Sequence, residues 1–315
     1  MGGKGAWERA LDRVSDRNWV AILALWETID CPPVFAGVGL DPPLDRTALV
    51  GEILSDIPDT GEIRRATEEL KKLTITQGAY LLLKAINVLG GAQLQYREGM
   101  PAWSVTNAYQ AAFFASRAVL RFLGLGVIQT GDRGSVLYDV WPGPIKGKKK
   151  SSDRRYIRGS ESQFIKVPFK LEHGNNWDLF LTAIGKSENL IKEEFLEVLL
   201  SLDSKSFSRV RNKNIYFDDF WSHHDLSGGY SPLELDKNLN NIIPVNLNSG
   251  DEYFSFHISF YLIHISVCML SNLCEKIPNL KDFFESLEYI LKHPEGRWIE
   301  PKVTGIMIGN QSPPY

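Results

Sequence analysis

The chain has 315 residues and a mass of 35.6 kDa, enough for one large domain or two modest ones, and its 43% apolar content supplies a core and excludes wholesale disorder. A formal net charge of −3, from 35 basic and 38 acidic residues, excludes a globally cationic nucleic-acid coat or a polyanionic tail and leaves room for a local charged patch. Cys31, Cys268 and Cys274 have no CxxC or zinc-knuckle spacing and cannot build a disulfide framework, so a reducing, cytoplasmic setting is expected.

No lysine-led apolar leader opens the chain, so export is not expected. Residues 6–29 carry Trp7, Leu11, Val14, Ile22, Leu25 and Trp26 among charges and predict one or two amphipathic helices halted by Pro32 and Pro33. Two further helices are expected over 62–72 and 77–89, the second ended by Gly90 and Gly91. Over 104–123, Val105, Ala108, Tyr109, Ala112, Ser116, Val119, Leu120 and Leu123 form one helical stripe before a Gly124 stop. Its alanines let another helix approach closely, and bundle packing explains the pattern without a cofactor.

From 127 to 172 the texture changes. Short β-like runs at 127–129, 136–141 and 164–169 predict a small sheet inserted into the helical chain. Helical periodicity returns at 177–184, 191–202, 207–217, 253–274 and 280–291, with a Gly/Pro/Asn-rich loop over 227–250. The 253–274 run is long enough to span a bilayer, yet Ser255, Ser259 and Ser266 share one face while His257, His264 and Ser271 share nearly the opposite one. Two polar stripes and the absence of a cationic anchor at both ends predict a helix buried in protein and no membrane association.

Three segments carry chemistry-bearing side chains. In 209–219 a helix would gather Arg211, Asn212 and Tyr216 within about one turn, which suits either a phosphate grip or a solvated face with a cap or ion pair. The neighbouring 218–225 run holds His223 and His224 among Asp218, Asp219 and Asp225, offering acid, base or metal-ligand chemistry, or simply a capped helix end before Gly228 and Gly229. Between 146 and 158, Lys146, Lys148, Lys149, Lys150, Arg154, Arg155 and Arg158 stand against the single acid Asp153, a density that attracts phosphate backbones and equally suits a solvated loop. Tyr156 and Trp141 lie close enough in sequence to stack on bases or to pack on the core. No GxxxxGK[ST], HExxH or GxSxG pattern occurs, His257 and His264 read as core histidines, and Glu300 with Lys302 reads as a chance echo of a nuclease pair.

The stretch Asn107 to Leu125, aromatic and alanine-rich and ending in Leu-Gly, resembles the early helix of HEPN-family proteins, and Arg211-Asn212-Lys213-Asn214-Ile215-Tyr216 resembles that family's later arginine-plus-polar motif. The resemblance implies a mainly α, HEPN-like helical bundle over 101–126 and 173–315, preceded by an N-terminal helical region (1–100) and interrupted by the β-rich insertion (127–172). It further implies a homodimer across the late-helix face, no cofactor and no metal, and an RNA-directed role in antiviral defence or a toxin–antitoxin system, often as a metal-independent endoribonuclease with a partner protein. Catalytic members carry a histidine shortly after the arginine, where this chain has Tyr216, Phe217 and Asp218. An unperturbed tyrosine of pKa ~10 is a poor general base at neutral pH. On this reading Arg211 stabilises charge on the scissile phosphate, Asn212 positions it, Tyr216 or His224 moves the proton, and Lys148, Lys149, Lys150, Arg154, Arg155 and Arg158 hold the backbone. The missing histidine equally fits a non-catalytic interaction or sensor subunit of a defence complex.

Overall fold

The computed structural model describes residues 3–30, 46–55, 60–130, 134–142, 156–158, 162–207 and 254–285. They are mostly helical, with a small sheet portion. Two units divide the chain: one draws on Met1–Ala79, Leu120–Leu190 and Ser271–Phe283, the other on Tyr80–Val119, Ile191–Leu270 and Phe284–Tyr315.

In the first unit, the expected N-terminal helical stretch forms two helices, α1 (Gly3–Leu11) and α2 (Trp19–Trp26), separated by the two-residue strand β1 (Arg17–Asn18). Asn18 caps α2, its Oδ1 accepting the Val20 and Ala21 N–H groups at 3.1 and 3.3 Å. Two tryptophans at the ends of α2 anchor it: Trp19 donates to Asn272 Oδ1 at 3.2 Å and Trp26 to the Phe122 carbonyl at 2.7 Å. The helix α3 (Arg46–Leu54) lies against β2 of a four-stranded antiparallel sheet, β2 (Leu125–Thr130), β3 (Gly134–Asp139), β5 (Gln163–Val167) and β4 (Tyr156–Arg158), in that spatial order. Leu137 pairs with Val127 on one side and Ile165 on the other, so β3 is central and almost wholly buried. The helix α6 (His173–Gly185) packs with α1 and runs into β6 (Ser187–Glu188), which pairs in parallel with β1.

The run expected at 127–129 falls in β2, that at 136–141 begins in β3 and runs two residues past it, and that at 164–169 begins in β5. The strand β4 was expected as charged loop, and the β1–β6 pair had no signal at all: two residues are too few to show a period.

Buried charge ties this unit together. The Arg17 guanidinium is 1% exposed and meets the Asp139 carboxylate at 2.5 Å while donating to the Leu123 carbonyl at 2.8 Å. Asp139 also accepts the Trp141 backbone N–H at 3.0 Å. Beside this pair, Arg121 donates to the Leu125 carbonyl at 2.6 Å and lies over the Tyr138 ring, and buried Lys71 lies 4.3 Å from the centre of the Trp141 ring while pairing with Glu68 at 2.8 Å. Gly126 makes room for this layer, because a Cβ there would collide with the Arg121 guanidinium and the Tyr138 ring.

One long helix, α4 (Thr60–Arg97), stands where two were expected. Gly90 and Gly91 do not end it: each costs roughly 1 kcal/mol in a helix interior, and buried Ile86, Leu89 and Ala92 around them offset that through packing. The chain turns at Gly99 into α5 (Pro101–Phe122). Every residue of the expected α5 stripe is buried, from Val105 to Leu123, and Gly124, at φ 81°, adopts the left-handed stop that a glycine permits.

Within the second unit, the latter half of α4 meets α5 through Ser104, which donates to the Ala92 carbonyl at 2.7 Å, and through Asn107, which donates to Gln95 Oε1 at 2.6 Å. The helix α7 (Glu193–Leu200) lies within the helical stretch expected at 191–202. The long apolar helix α8 (Phe254–Lys276) is long and apolar enough to cross a membrane, and 72% of its most apolar window is buried in the protein. Its serine stripe is buried: Ser266 donates to the Leu262 carbonyl at 2.7 Å and lies 3.3 Å from the Ala115 carbonyl, and Ser259 donates to the Phe256 carbonyl at 2.8 Å. Tyr96 meets Phe256 edge-on with ring centres 6.0 Å apart, and Phe195 meets Tyr261 at 5.9 Å.

Removing one member of a buried ion pair leaves the other uncompensated, at a cost of about 3–5 kcal/mol, whereas replacing both by apolar groups is far less damaging. Asp139→Asn should therefore lower the urea midpoint followed by far-UV circular dichroism, and Arg17→Met combined with Asp139→Leu should restore most of it. Equal destabilisation by the single and double variants would show that the pair is not the constraint.

Candidate functional site

The residues singled out for RNA chemistry, Arg211, Asn212, Tyr216 and His224, lie outside the described residues, as do His223, Lys148, Lys149, Lys150, Arg154 and Arg155. Cys31, the 227–250 loop and the Glu300–Lys302 pair lie outside them too. Of the basic run only Arg158 is placed: its backbone ends β4, paired with Gln163 of β5 at the edge of the sheet. The run therefore leads directly into an edge strand. Trp141, weighed as a base-stacking group, is buried against Trp26, ring centres 5.1 Å apart and nearly perpendicular, and so belongs to the core.

The half-buried face of α8 carries His257, His264, Cys268 and Ser271. Cys268 Sγ lies 3.6 Å from His264 Nε2, one turn apart on the helix, which is the spacing of a thiol and its base. The electrostatics oppose nucleophilic use. Burial pushes the Cys268 thiol up to about 11 from an ordinary value of 9.0, and burial together with Glu275 pushes Cys274 up to about 12. A reactive cysteine needs the opposite shift. Among the described residues, no three His, Cys, Asp or Glu side chains gather as a metal-binding group.

A different surface emerges on the α4–α5 hairpin of the second unit. The burial of α5 alternates with helical period: Ala108, Ala111, Ala112, Ala115 and Ser116 are buried, while Gln110, Phe113, Phe114 and Arg117 are half-buried and Trp103 is 57% exposed. Lys84 of α4 places its ammonium 4.3 Å from the centre of the Phe114 ring, and the Arg117 guanidinium lies 5.7 Å from that of Phe113. Exposed Tyr80 and Asn87 share the outward side of α4 with Lys84. No acid occurs in 70–97 or in 101–131. That gap in acidic residues is readable in the sequence, and the Val105-to-Leu123 stripe leaves Trp103, Phe113 and Phe114 off the core face; the fold shows which of them solvent reaches.

A thiol with pKa near 11 holds roughly a hundredfold less thiolate at pH 8 than one near 9. In a Cys31→Ser background, the native protein should accordingly react with a disulfide reagent at pH 8 about a hundredfold more slowly than in guanidinium; equal rates would restore Cys268 as a candidate nucleophile. Comparison with protein-family models, with curated proteins and with solved structures finds no match for this chain.

Proposed function

We propose that the chain is a cytoplasmic RNA-binding protein of HEPN-like helical type, acting in antiviral defence or a toxin–antitoxin system as a homodimer or with a partner protein. The reading is carried by the order of its two motif segments. The first, Asn107 to Leu125, folds in its helical part as one continuous helix, α5, closed at Gly124 and packed through small residues, the local structure the resemblance requires. The second, Arg211 to Tyr216, supplies the arginine and the polar residue of the family's motif, with Tyr216, Phe217 and Asp218 where catalytic members have a histidine.

In the cleavage reaction of this reading, the Arg211 guanidinium stabilises the charge that develops on the scissile phosphate. Asn212 holds the phosphate in place, and Tyr216 or His224 takes the proton of the attacking 2′-hydroxyl as its oxygen bonds to phosphorus and returns it to the 5′-oxygen as the P–O5′ bond breaks. The basic run entering β4 binds the flanking phosphates. A metal-free assay with chelator present should show cleavage of single-stranded RNA by the wild type and a loss of about 10²-fold or more in Arg211→Ala, on the scale of removing one charge-stabilising donor. Undiminished cleavage by Arg211→Ala would remove this site.

Tyr216, Phe217 and Asp218, where catalytic members place a histidine, favour a second reading: a non-catalytic interaction or sensor subunit. It predicts no cleavage by the wild type, with or without divalent cations, together with a stable complex of defined mass after RNase treatment.

A further inference from the structure

We propose that the outward strip of the α4–α5 hairpin in the second unit is a docking surface for single-stranded RNA, made of residues other than those of the Arg211 segment and the basic run. The inference rests on reading the chain as RNA-binding and adds to it a place where the bases are held.

Three observations carry it. The first is charge. Lys84 and Arg117 stand on a pair of helices in which Glu98, in the connecting turn, is the one acid between residues 70 and 131, within a chain whose acids outnumber its bases. Such local cationic character draws phosphates by counterion release. The second is the kind of side chain turned outward. Each cation lies over a phenyl ring, Lys84 over Phe114 and Arg117 over Phe113, and Trp103 and Tyr80 add exposed aromatic surface on the same helices. Aromatic rings set among cations form the platform on which unpaired bases stack. The third is the polar remainder. Asn87 and Gln110 are exposed or half-exposed, and amides of this kind pair with base edges through both a donor and an acceptor.

The strip has the length for several nucleotides: fourteen residues separate Trp103 from Arg117, about 21 Å along the helix axis. Leu94 and Met100 add exposed apolar area at the turn end of the hairpin, but an apolar partner helix laid along the whole strip would bury Lys84, Asn87, Gln110 and Arg117 and desolvate four polar groups. Duplex RNA fits poorly too, since its bases are already stacked and its exposed surface is phosphate and ribose.

The test uses the full chain and a fluorescein-labelled single-stranded RNA of twelve nucleotides with mixed sequence, beside a duplex of equal length. Wild type should prefer the single strand. Lys84→Gln with Arg117→Gln should weaken binding on the order of tenfold and flatten the slope of log affinity against log salt by about 1.4, the value for two phosphate contacts on a single strand. Trp103→Ala, at an exposed position that leaves the core intact, should weaken binding roughly tenfold with the slope unchanged. Far-UV circular dichroism and the melting temperature of each variant establish that it is folded, and crosslinking of a 4-thiouridine probe to the peptide carrying Trp103 to Arg117 gives a readout on wild type alone.

Binding by wild type that is untouched by both variants, with crosslinks only in 146–158 or 209–225, would overturn the strip and leave the RNA-binding reading standing. Equal affinity for duplex would also overturn it. No RNA binding by wild type would overturn both, as would a stoichiometric protein complex dissolved by Trp103→Ala in a chain without RNA affinity.

Discussion

One guanidinium fixes the first unit. Arg17 reaches inward from a two-residue strand to the Asp139 carboxylate at the end of β3 and to the Leu123 carbonyl just past α5, so three distant parts of the chain meet at a single buried charge. Desolvating such a pair is expensive, and its worth lies less in net stability than in the geometry it demands. Asp139 cannot shift without losing the Trp141 backbone N–H, and Trp141 in turn carries Trp26 and Lys71. The end of α5, the central strand and the N-terminal helices are thereby held in one arrangement.

Cations serve opposite ends in the two units. In the first, Arg17, Lys71 and Arg121 are buried and spent on carbonyls, carboxylates and ring faces, leaving little of their charge for solvent. In the second, Lys84 and Arg117 keep the same liking for ring faces while remaining open to water. An identical contact is structural where solvent is absent and available for recognition where it is present, because only the second kind can exchange water for a ligand.

Helix periodicity was the most legible part of the sequence. The α5 stripe from Val105 to Leu123 predicted burial residue by residue, since an apolar stripe at period 3.6 has one way to face a core. The opposed serine and histidine stripes of α8 were legible for the same reason, one buried against backbone carbonyls and the other half-open. Glycine misled at Gly90 and Gly91, where packing outweighed local propensity. The strand β4 is short and hidden among charges, and the β1–β6 pair depends on a partner 170 residues away, information that no local window contains. Of the candidate site, the basic run and the late arginine were visible as composition; the outward strip was visible only by exclusion, since the stripe leaves Phe113 and Phe114 off the core face without showing the cation that α4 brings to Phe114.

The parallel pairing of Arg17 with Ser187 has a consequence in time. Lys186, the residue before β6, donates to the Val14 carbonyl at 2.7 Å and to the Leu11 carbonyl at 3.3 Å and so secures the turn that follows the first helix. At a synthesis rate of about 5–20 residues per second, roughly 8–35 s separate the ribosomal emergence of these partners. Within that interval Phe122, Leu123, Asp139 and Trp141 emerge to receive Trp26 and Arg17, but β1 lacks its partner strand until Ser187 follows. The nascent chain must therefore keep its opening helices from premature association until its middle has been made.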